Sequence, residues 1–223
     1  MSNPPVALLA GATGAVGRRL LEILLARDDG TRVLTVGRRA PTVSHPRLEH
    51  REAALDGFST VLLDCRCTEA FCCLGTTMKT AGSRAAFRAV DLDGVAAFAH
   101  AAHASGARFF GLVSSAGASP DASSFYLRTK GEAEATVAAL RFPSLAIMQP
   151  GLLRGERTEH RTAERLGQLA APLFDRLLIG ALARYRSVPL QAVAAALDVA
   201  ARRRDPGIIR FGPAAIEALA GVG

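Results

Sequence analysis

Apolar segments of strand length alternate with segments of helical periodicity along most of the chain. Val6–Ala10 is apolar throughout and predicts a strand, whereas the apolar spacing over Ala15–Arg27 predicts a helix. The other predicted strands are Arg32–Gly37, Leu48–Ala54, Glu69–Leu74, Ala107–Ser114, Ser144–Gln149 and Ile208–Phe211. The other predicted helices are Ala85–Ala104, Ser124–Leu140 and Pro189–Arg203.

Continuous apolar strands separated by helices are typical of a parallel sheet that is covered on both faces. The chain therefore predicts one α/β domain over residues 1–223, with a doubly wound parallel sheet and a small substrate-side region near the C-terminus. In such a sheet the ligand binds at the carboxyl ends of the strands. Residues 151–185 could form a lid over that site, and the charge-rich part Arg154–Arg165 is either a mobile lid or a solvated loop.

Three glycines follow the first predicted strand and open the first predicted helix, in the order Gly11, Gly14 and Gly17. The first glycine permits a tight turn, the second lets backbone approach a pyrophosphate, and the third allows close packing of helix and strand. The helix N-terminus then offers N–H groups to an anion. This context predicts a dinucleotide-binding loop formed by Gly11, Thr13, Gly14, Ala15, Val16 and Gly17.

The end of the second strand predicts which nicotinamide nucleotide is bound. A site selective for NAD has an acidic residue there, which holds the ribose hydroxyls. Here the segment 32–39 contains no carboxylate and ends in Arg38 and Arg39. Because a guanidinium donates two parallel hydrogen bonds to a phosphate, we expect NADP(H) rather than NAD; the alternative is that both arginines are ordinary surface charges.

A serine, a tyrosine and a lysine follow the predicted glycine loop at spacings that suit acid–base chemistry. Ser115 lies at the end of the fifth strand, and Tyr126 comes eleven residues later. Lys130 is four residues beyond Tyr126, so both side chains lie on one face of a helix, where the ammonium would stabilise the tyrosinate form. Tyr126 could then exchange a proton with a carbonyl or alcohol oxygen that the serine hydroxyl also binds.

Composition adds little that changes this picture. The formal charge is +7, but the arginines are scattered and aromatic residues are few, so we expect a solvated basic surface rather than nucleic-acid binding. The four cysteines, Cys65, Cys67, Cys72 and Cys73, lack the usual zinc spacing, and we expect packing roles and no metal. The sequence shows neither a membrane-spanning run nor a signal peptide, which favours a cytoplasmic protein.

The motifs taken together resemble the atypical branch of the short-chain dehydrogenase/reductases. The resemblance is strongest to the Tat-interacting-protein oxidoreductase-like family of NAD(P)-binding, epimerase-like proteins with a Rossmann-like fold. The matching segments are Gly11–Gly17, Phe71–Thr77, Phe87–Asp93, Val113–Ala118, Tyr126–Glu134 and Gln149–Leu153. They span most of the chain up to about Leu153 and continue weakly at Ser187–Pro189.

The resemblance implies further roles for individual residues. It places Leu74, Gly75 and Thr76 along the adenosine side of the cofactor and Pro150, Gly151 and Leu152 against the nicotinamide, and Tyr126 and Lys130 also contact the cofactor. Ser115 resembles the superfamily's catalytic serine, with Ser114 as a near alternative. Two positions depart from the pattern. Asp91 stands where many members carry an asparagine of a proton relay, and Ala54 and Leu55 replace the aspartate that touches adenine.

Three functions are compatible with these motifs. The first is an NADP(H)-dependent oxidoreductase that acts on a small carbonyl or alcohol, with Ser115, Tyr126 and Lys130 as catalytic residues. The second is an NADPH-binding regulator or scaffold with little turnover. The third is an NAD(P)-dependent epimerase, although only about 70 residues follow the sixth strand. We expect a small-molecule substrate and a monomer or homodimer, without nucleic acid or membrane as a partner.

Overall fold

The computed structural model of the chain describes residues 5–154 and 185–221. Seven parallel strands form the central sheet in the order β3-β2-β1-β4-β5-β6-β9. These strands are β1 (Val6–Ala10), β2 (Arg32–Gly37), β3 (Leu48–Glu52), β4 (Glu69–Cys72), β5 (Phe109–Val113), β6 (Ser144–Met148) and β9 (Gly207–Phe211). Two short strands, β7 (Leu153–Arg154) and β8 (Val188–Pro189), pair in parallel outside this sheet.

Helices cover both faces of the sheet. They are α1 (Ala15–Leu25), α2 (Phe58–Val61), α3 (Met78–Ala81), α4 (Arg84–Arg88), α5 (Val95–Ala104), α6 (Phe125–Ala139), α7 (Leu190–Arg203) and α8 (Pro213–Leu219). Side chains alternate along each strand, so in β1 Ala7 and Leu9 join one core with α1 and α7, while Leu8 and Ala10 join another with α2 and α5. The predicted doubly wound α/β fold is confirmed, and burial on both faces explains why its strands are continuously apolar.

The strand order reverses direction beside β1, and this positions the site. The chain builds β1, β2 and β3 towards one edge and then returns to place β4 on the other side of β1. A crevice therefore opens between the carboxyl ends of β1 and β4, where a doubly wound sheet binds its ligand. The glycine loop follows β1 directly, and Leu74 lies two residues beyond the end of β4.

One predicted helix is wrong in its detail. The segment Ala85–Ala104, expected as a single α-helix, consists of α4, a π-helical turn at Ala89–Gly94 and α5. Ser83 begins α4 and its hydroxyl accepts a hydrogen bond from the Ala86 N–H at 3.1 Å. The π-helical turn widens the helix at Asp91, which is fully buried, so the periodicity of 3.6 residues fails where a polar side chain must be turned inward.

The opposite, amino-terminal edge of the sheet is held by a buried cluster of charges. Arg27 follows α1 and forms ion pairs with Glu69 at the start of β4 and with Asp198 of α7, the latter at 2.7 Å. The Arg27 and Glu69 side chains are each 3% exposed. The cluster therefore joins β4 to α1, which precedes it in the chain, and to α7, which follows it much later. It lies at the end of the sheet opposite the crevice.

Replacing Glu69 with glutamine is expected to lower the free energy of unfolding by about 3 kcal/mol, because it leaves the buried Arg27 charge only partly compensated. Chemical denaturation measures this loss. The matched control is Glu22→Gln, which removes the exposed Arg19–Glu22 pair and should cost less than about 0.5 kcal/mol. Equal losses in the two variants would contradict a special role for the buried cluster.

Candidate active site

The glycine loop after β1 adopts a turn that side chains would obstruct. Gly11 has a φ of +80°, and a Cβ there would lie 2.5 Å from the carbonyl carbon of Cys73. A Cβ on Gly17 would lie 2.1 Å from the Gly11 carbonyl oxygen. The first glycine is therefore required by the turn beside β4, and the third by the close packing of α1 against that turn.

The second glycine leaves the N-terminus of α1 open. Gly14 is the N-cap residue, is exposed and carries no side chain that could cap the helix, while its N–H donates to the Gly11 carbonyl at 3.0 Å. The first helical turn, which includes Ala15 and Val16, thus keeps backbone N–H groups without intrahelical partners. Val16 is buried and Thr13 and Ala15 are half-buried. This glycine-lined helix end fits a phosphate group.

Beyond the end of β2 the chain exposes Arg38 and Arg39. Arg38 lines a largely apolar cavity of about 460 Å³, whereas Arg39 is not among the residues that line it. The cavity reaches from the segment after β3 to the π-helical turn and the start of α5. Its other lining residues are Ala54, Leu55, Asp56, Ala89, Val90, Asp93, Gly94 and Ala97. The lining of this cavity thus includes one guanidinium and two carboxylates.

Tyr126 and Lys130 lie in the first turns of α6. Tyr126 is half-buried, and its ring packs against that of Phe87 with 5.5 Å between the ring centroids. Phe87 is fully buried in α4 and also packs against Phe125 at 5.9 Å. These aromatic contacts fix the position of the Tyr126 ring. Because Tyr126 and Lys130 are four residues apart, their side chains lie on the same face of α6.

Lys130 is buried and paired with Asp91. Its Nζ lies 2.7 Å from Asp91 Oδ1, and Asp91 Oδ2 accepts a hydrogen bond from the Thr76 N–H at 2.8 Å. Burial alone would lower the pKa of Lys130, but its neighbours, above all the charge of the Asp91 carboxylate, hold the pKa of Lys130 above its ordinary value. A Cβ on Gly75 would lie 3.4 Å from the Asp91 carboxylate, so the loop after β4 covers this pair closely.

The two serines at the end of β5 have different surroundings. Ser114 is buried and its hydroxyl donates to Glu134 Oε1 at 2.6 Å, whereas Ser115 is half-buried. Glu134 also accepts from Gln149 Nε2 at 2.8 Å and from Arg210 Nε at 3.0 Å. A single carboxylate on α6 therefore joins the ends of β5 and β6 to β9, and it uses the hydroxyl of Ser114 in doing so.

The loop between β5 and α6 lies directly on the helix that carries Tyr126 and Lys130. A Cβ on Gly131 would lie 2.1 Å from the carbonyl carbon of Ser119, and the Ser119 N–H donates to the Leu127 carbonyl at 3.3 Å. Only glycine permits this approach. The loop that begins at Ser115 and the first turns of α6 are therefore packed into one unit.

The segment after β6 completes the edge of the crevice. The Ala116 N–H donates to the Pro150 carbonyl at 2.9 Å, which ties the segment to the loop of Ser115. A Cβ on Gly151 would lie 2.2 Å from the Arg186 carbonyl oxygen, and Leu152 is 54% exposed. Most of the predicted lid at 151–185 lies outside the described residues, because these leave out 155–184. Of the charge-rich part Arg154–Arg165, only Arg154 is described.

Sequence reasoning missed three residues of this region. Asp91 was noted only as a departure from a pattern, and its pairing with Lys130 depends on the π-helical turn. Glu134 stands four residues after Lys130 and so on the same helix face, which was the available signal, but its partners come from three strands. Tyr185 lies near Gly117, where a Cβ would meet its hydroxyl at 3.3 Å, and no local pattern links the two positions.

The cysteines and other candidate ligands form no metal centre in the part of the chain that the structure describes. There, no group of three or more His, Cys, Asp and Glu side chains could hold a metal ion. Cys65, Cys67, Cys72 and Cys73 are free thiols, and the first three are buried. Within the described ranges, no helix is long and apolar enough to cross a membrane.

Comparison with known proteins identifies the family. The family model described as NAD(P)H-binding matches residues 11–176. Protein HTATIP2 of Rattus norvegicus is 35% identical over 181 residues, which are 75% of this chain and 70% of that protein. Protein FMP52-1, mitochondrial, of Scheffersomyces stipitis is 32% identical over 187 residues, 82% of this chain and 78% of that protein.

Solved structures of low sequence identity share the fold. The enzyme WbmH of Bordetella bronchiseptica, described in complex with NAD+, has a TM-score of 0.71 at 15% identity and covers 94% of this chain and 76% of its own. UDP-glucose 4-epimerase of Thermotoga maritima has a TM-score of 0.69 at 13% identity, with 97% and 83% covered. The chain is thus a Rossmann-like member of the NAD(P)H-binding family, within the atypical short-chain dehydrogenase/reductase-like group that includes HTATIP2 and the FMP52 proteins.

Proposed function

We propose that the protein is an NADP(H)-dependent oxidoreductase that interconverts a small carbonyl compound and its alcohol. The observation that carries this proposal is the position of Tyr126 and buried Lys130 on one face of α6, at the same edge of the sheet as the glycine loop. A dinucleotide held by that loop would bind in the crevice outside the carboxyl ends of the strands, at the edge of the sheet that also carries the tyrosine.

The proposed roles follow from the surroundings of each side chain. Bound nicotinamide supplies or accepts a hydride. In the reductive direction, Tyr126 would donate its proton to the carbonyl oxygen, and water would then reprotonate the phenolate. Ser115 would donate a hydrogen bond to the same oxygen as negative charge develops there. Ser115 is a better candidate for this role than Ser114, because the Ser114 hydroxyl already donates to Glu134. Lys130 stabilises the phenolate.

Cofactor contacts are proposed along the same edge. The backbone of the glycine loop would hold the pyrophosphate, and the cavity lined by Ala54 and Leu55 would receive the adenine, with Arg38 and Arg39 binding the phosphate that distinguishes NADP. Asp56 and Asp93 also line that cavity, and their carboxylates repel a phosphate. The guanidiniums must therefore bind the phosphate directly. Leu74, Gly75 and Thr76 line the adenosine side, and Pro150, Gly151 and Leu152 face the nicotinamide.

Binding of NADPH and NADH to the purified protein tests the proposal. We expect NADPH to bind more tightly, and Gly14→Ala to weaken both nucleotides because its Cβ fills the space at the start of α1. Gly212→Ala is the matched control, since Gly212 is also an N-cap residue with nearly the same backbone angles, but it begins α8 after the edge strand β9 rather than α1 after β1. If neither nucleotide binds, the protein is not a nicotinamide-dependent enzyme, and a role in binding other proteins is favoured.

A screen of small carbonyl compounds separates the remaining alternatives. NADPH binding without turnover of any of them would favour the regulator or scaffold, and conversion of a sugar nucleotide without net oxidation would favour an epimerase. A cytoplasmic location, a small-molecule substrate, and a monomeric or homodimeric state stay predictions from the sequence. The FMP52 relatives are named mitochondrial proteins, so cell fractionation is the direct test of location.

A further inference from the structure

Asp91 is the most deeply buried charged group at the proposed reaction centre. Its residue is 0% exposed and is turned inward by the π-helical turn. One carboxylate oxygen lies 2.7 Å from Lys130 Nζ, and the other accepts the Thr76 N–H at 2.8 Å. A backbone N–H and an ammonium both favour the ionised carboxylate, so the pair is an ion pair and not two neutral groups.

The other groups that face Lys130 do not add a second charge. Cys72 of β4 faces the pair, and burial raises the pKa of its thiol to about 12, so it is neutral at physiological pH. Tyr126 faces Lys130 from the same helix. Glu134, one turn further along α6, is paired with Arg210 at 3.0 Å. Among the described residues that face Lys130, Asp91 is therefore the anion that offsets the ammonium.

We propose that the Asp91 carboxylate cancels most of the field that Lys130 exerts on Tyr126, so that Tyr126 acts mainly as a proton donor. This deepens the proposed function and rests on it for the role of Tyr126. In carbonyl reduction the phenol must enter protonated, whereas in alcohol oxidation it must enter as phenolate. The compensated lysine therefore favours reduction near neutral pH, and Asp91 is a positioning residue that acts through Lys130.

The composition of the chain makes this charge effect measurable without turnover. The protein contains two tyrosines and no tryptophan. In a Tyr185→Phe background, Tyr126 is the sole tyrosine, and its ionisation can be followed by the ultraviolet absorbance of tyrosinate. Asp91→Asn should move the midpoint of that titration to lower pH by about one to three units, the usual effect of a charge within a few ångströms.

Asp93→Asn is the matched control, because Asp93 lies in the same π-helical turn but is exposed. It should leave the midpoint almost unchanged. An unchanged midpoint in a folded Asp91→Asn protein would overturn the proposal. If Asp91→Asn lowers the midpoint but the unsubstituted protein turns over no carbonyl compound, the charge effect is kept and the proposed function is rejected. The two failures are therefore distinguishable.

A second variant keeps the test decisive if Asp91→Asn does not fold. Lys130→Met combined with Asp91→Asn removes both charges, and replacing a whole buried ion pair is tolerated better than breaking one. If the two charges cancel at Tyr126, its midpoint in this double variant stays close to that of the Tyr185→Phe parent. A midpoint raised by one unit or more would show that Lys130 acts uncompensated and would overturn the proposal.

Discussion

Tyr126→Phe is expected to lower turnover by about 10²–10⁴-fold while NADPH affinity stays nearly unchanged, because the substitution removes only the proton donor. The phenylalanine ring keeps the packing against Phe87 that positions the native tyrosine, at 5.5 Å between centroids. The loss should therefore appear in the rate constant for the chemical step rather than in cofactor binding.

Steady-state kinetics with the best carbonyl compound from the screen, together with a nucleotide titration, measure both quantities. Thermal unfolding of the variant checks that the aromatic cluster of Phe87 and Phe125 is retained. A Tyr126→Phe protein with full activity would refute the catalytic assignment. If instead nucleotide binding fell in parallel with turnover, Tyr126 would have to be assigned to cofactor binding rather than to proton transfer.

Arg38→Ala combined with Arg39→Ala is expected to weaken NADPH binding by about 10–100-fold and to change NADH binding little, since a hydrogen bond to a charged group contributes about 1.5–3 kcal/mol. Arg38 lines the cavity beside Ala54 and Leu55 and Arg39 does not, so the single variant Arg38→Ala should account for most of the effect.

The control must change the net charge by the same amount. Arg202→Ala with Arg203→Ala also lowers the formal charge of +7 by two, but at the end of α7, on the opposite edge of the sheet from the crevice. Isothermal titration calorimetry with each nucleotide compares the four proteins. An equal loss for NADPH and NADH would exclude a phosphate-specific role for the two arginines.

The elements that the sequence predicted best are those whose local pattern and tertiary environment agree. The run from Val6 to Gly17 is an apolar strand, a glycine turn and a helix start, and each part is also required by contacts, such as that of Gly11 with Cys73. The spacing of Tyr126 and Lys130 likewise needs only a helix. Local information was sufficient for both because neighbours in sequence make the arrangement.

Other features depend on residues far apart in the chain. The π-helical turn breaks an alanine-rich helix because Asp91 must reach Lys130 and Thr76, and nothing near Asp91 in the sequence indicates that demand. Glu134 joins Ser114, Gln149 and Arg210 through hydrogen bonds that form only when β5, β6 and β9 are assembled. Periodicity cannot predict such contacts, because they pair buried charged and polar groups and do not arise from the burial of an apolar helix or strand face.

The contact of Gly131 with Ser119 has a consequence for how a ligand would be received. Because the loop that follows Ser115 rests on α6 through this glycine, the packing of the serine loop against the helix of the tyrosine is part of the fold itself. Less of the binding free energy is then needed to bring these two segments together, and more of it remains for holding substrate against cofactor. The shape of the substrate must accordingly be selected by residues around this packed unit rather than by the unit itself.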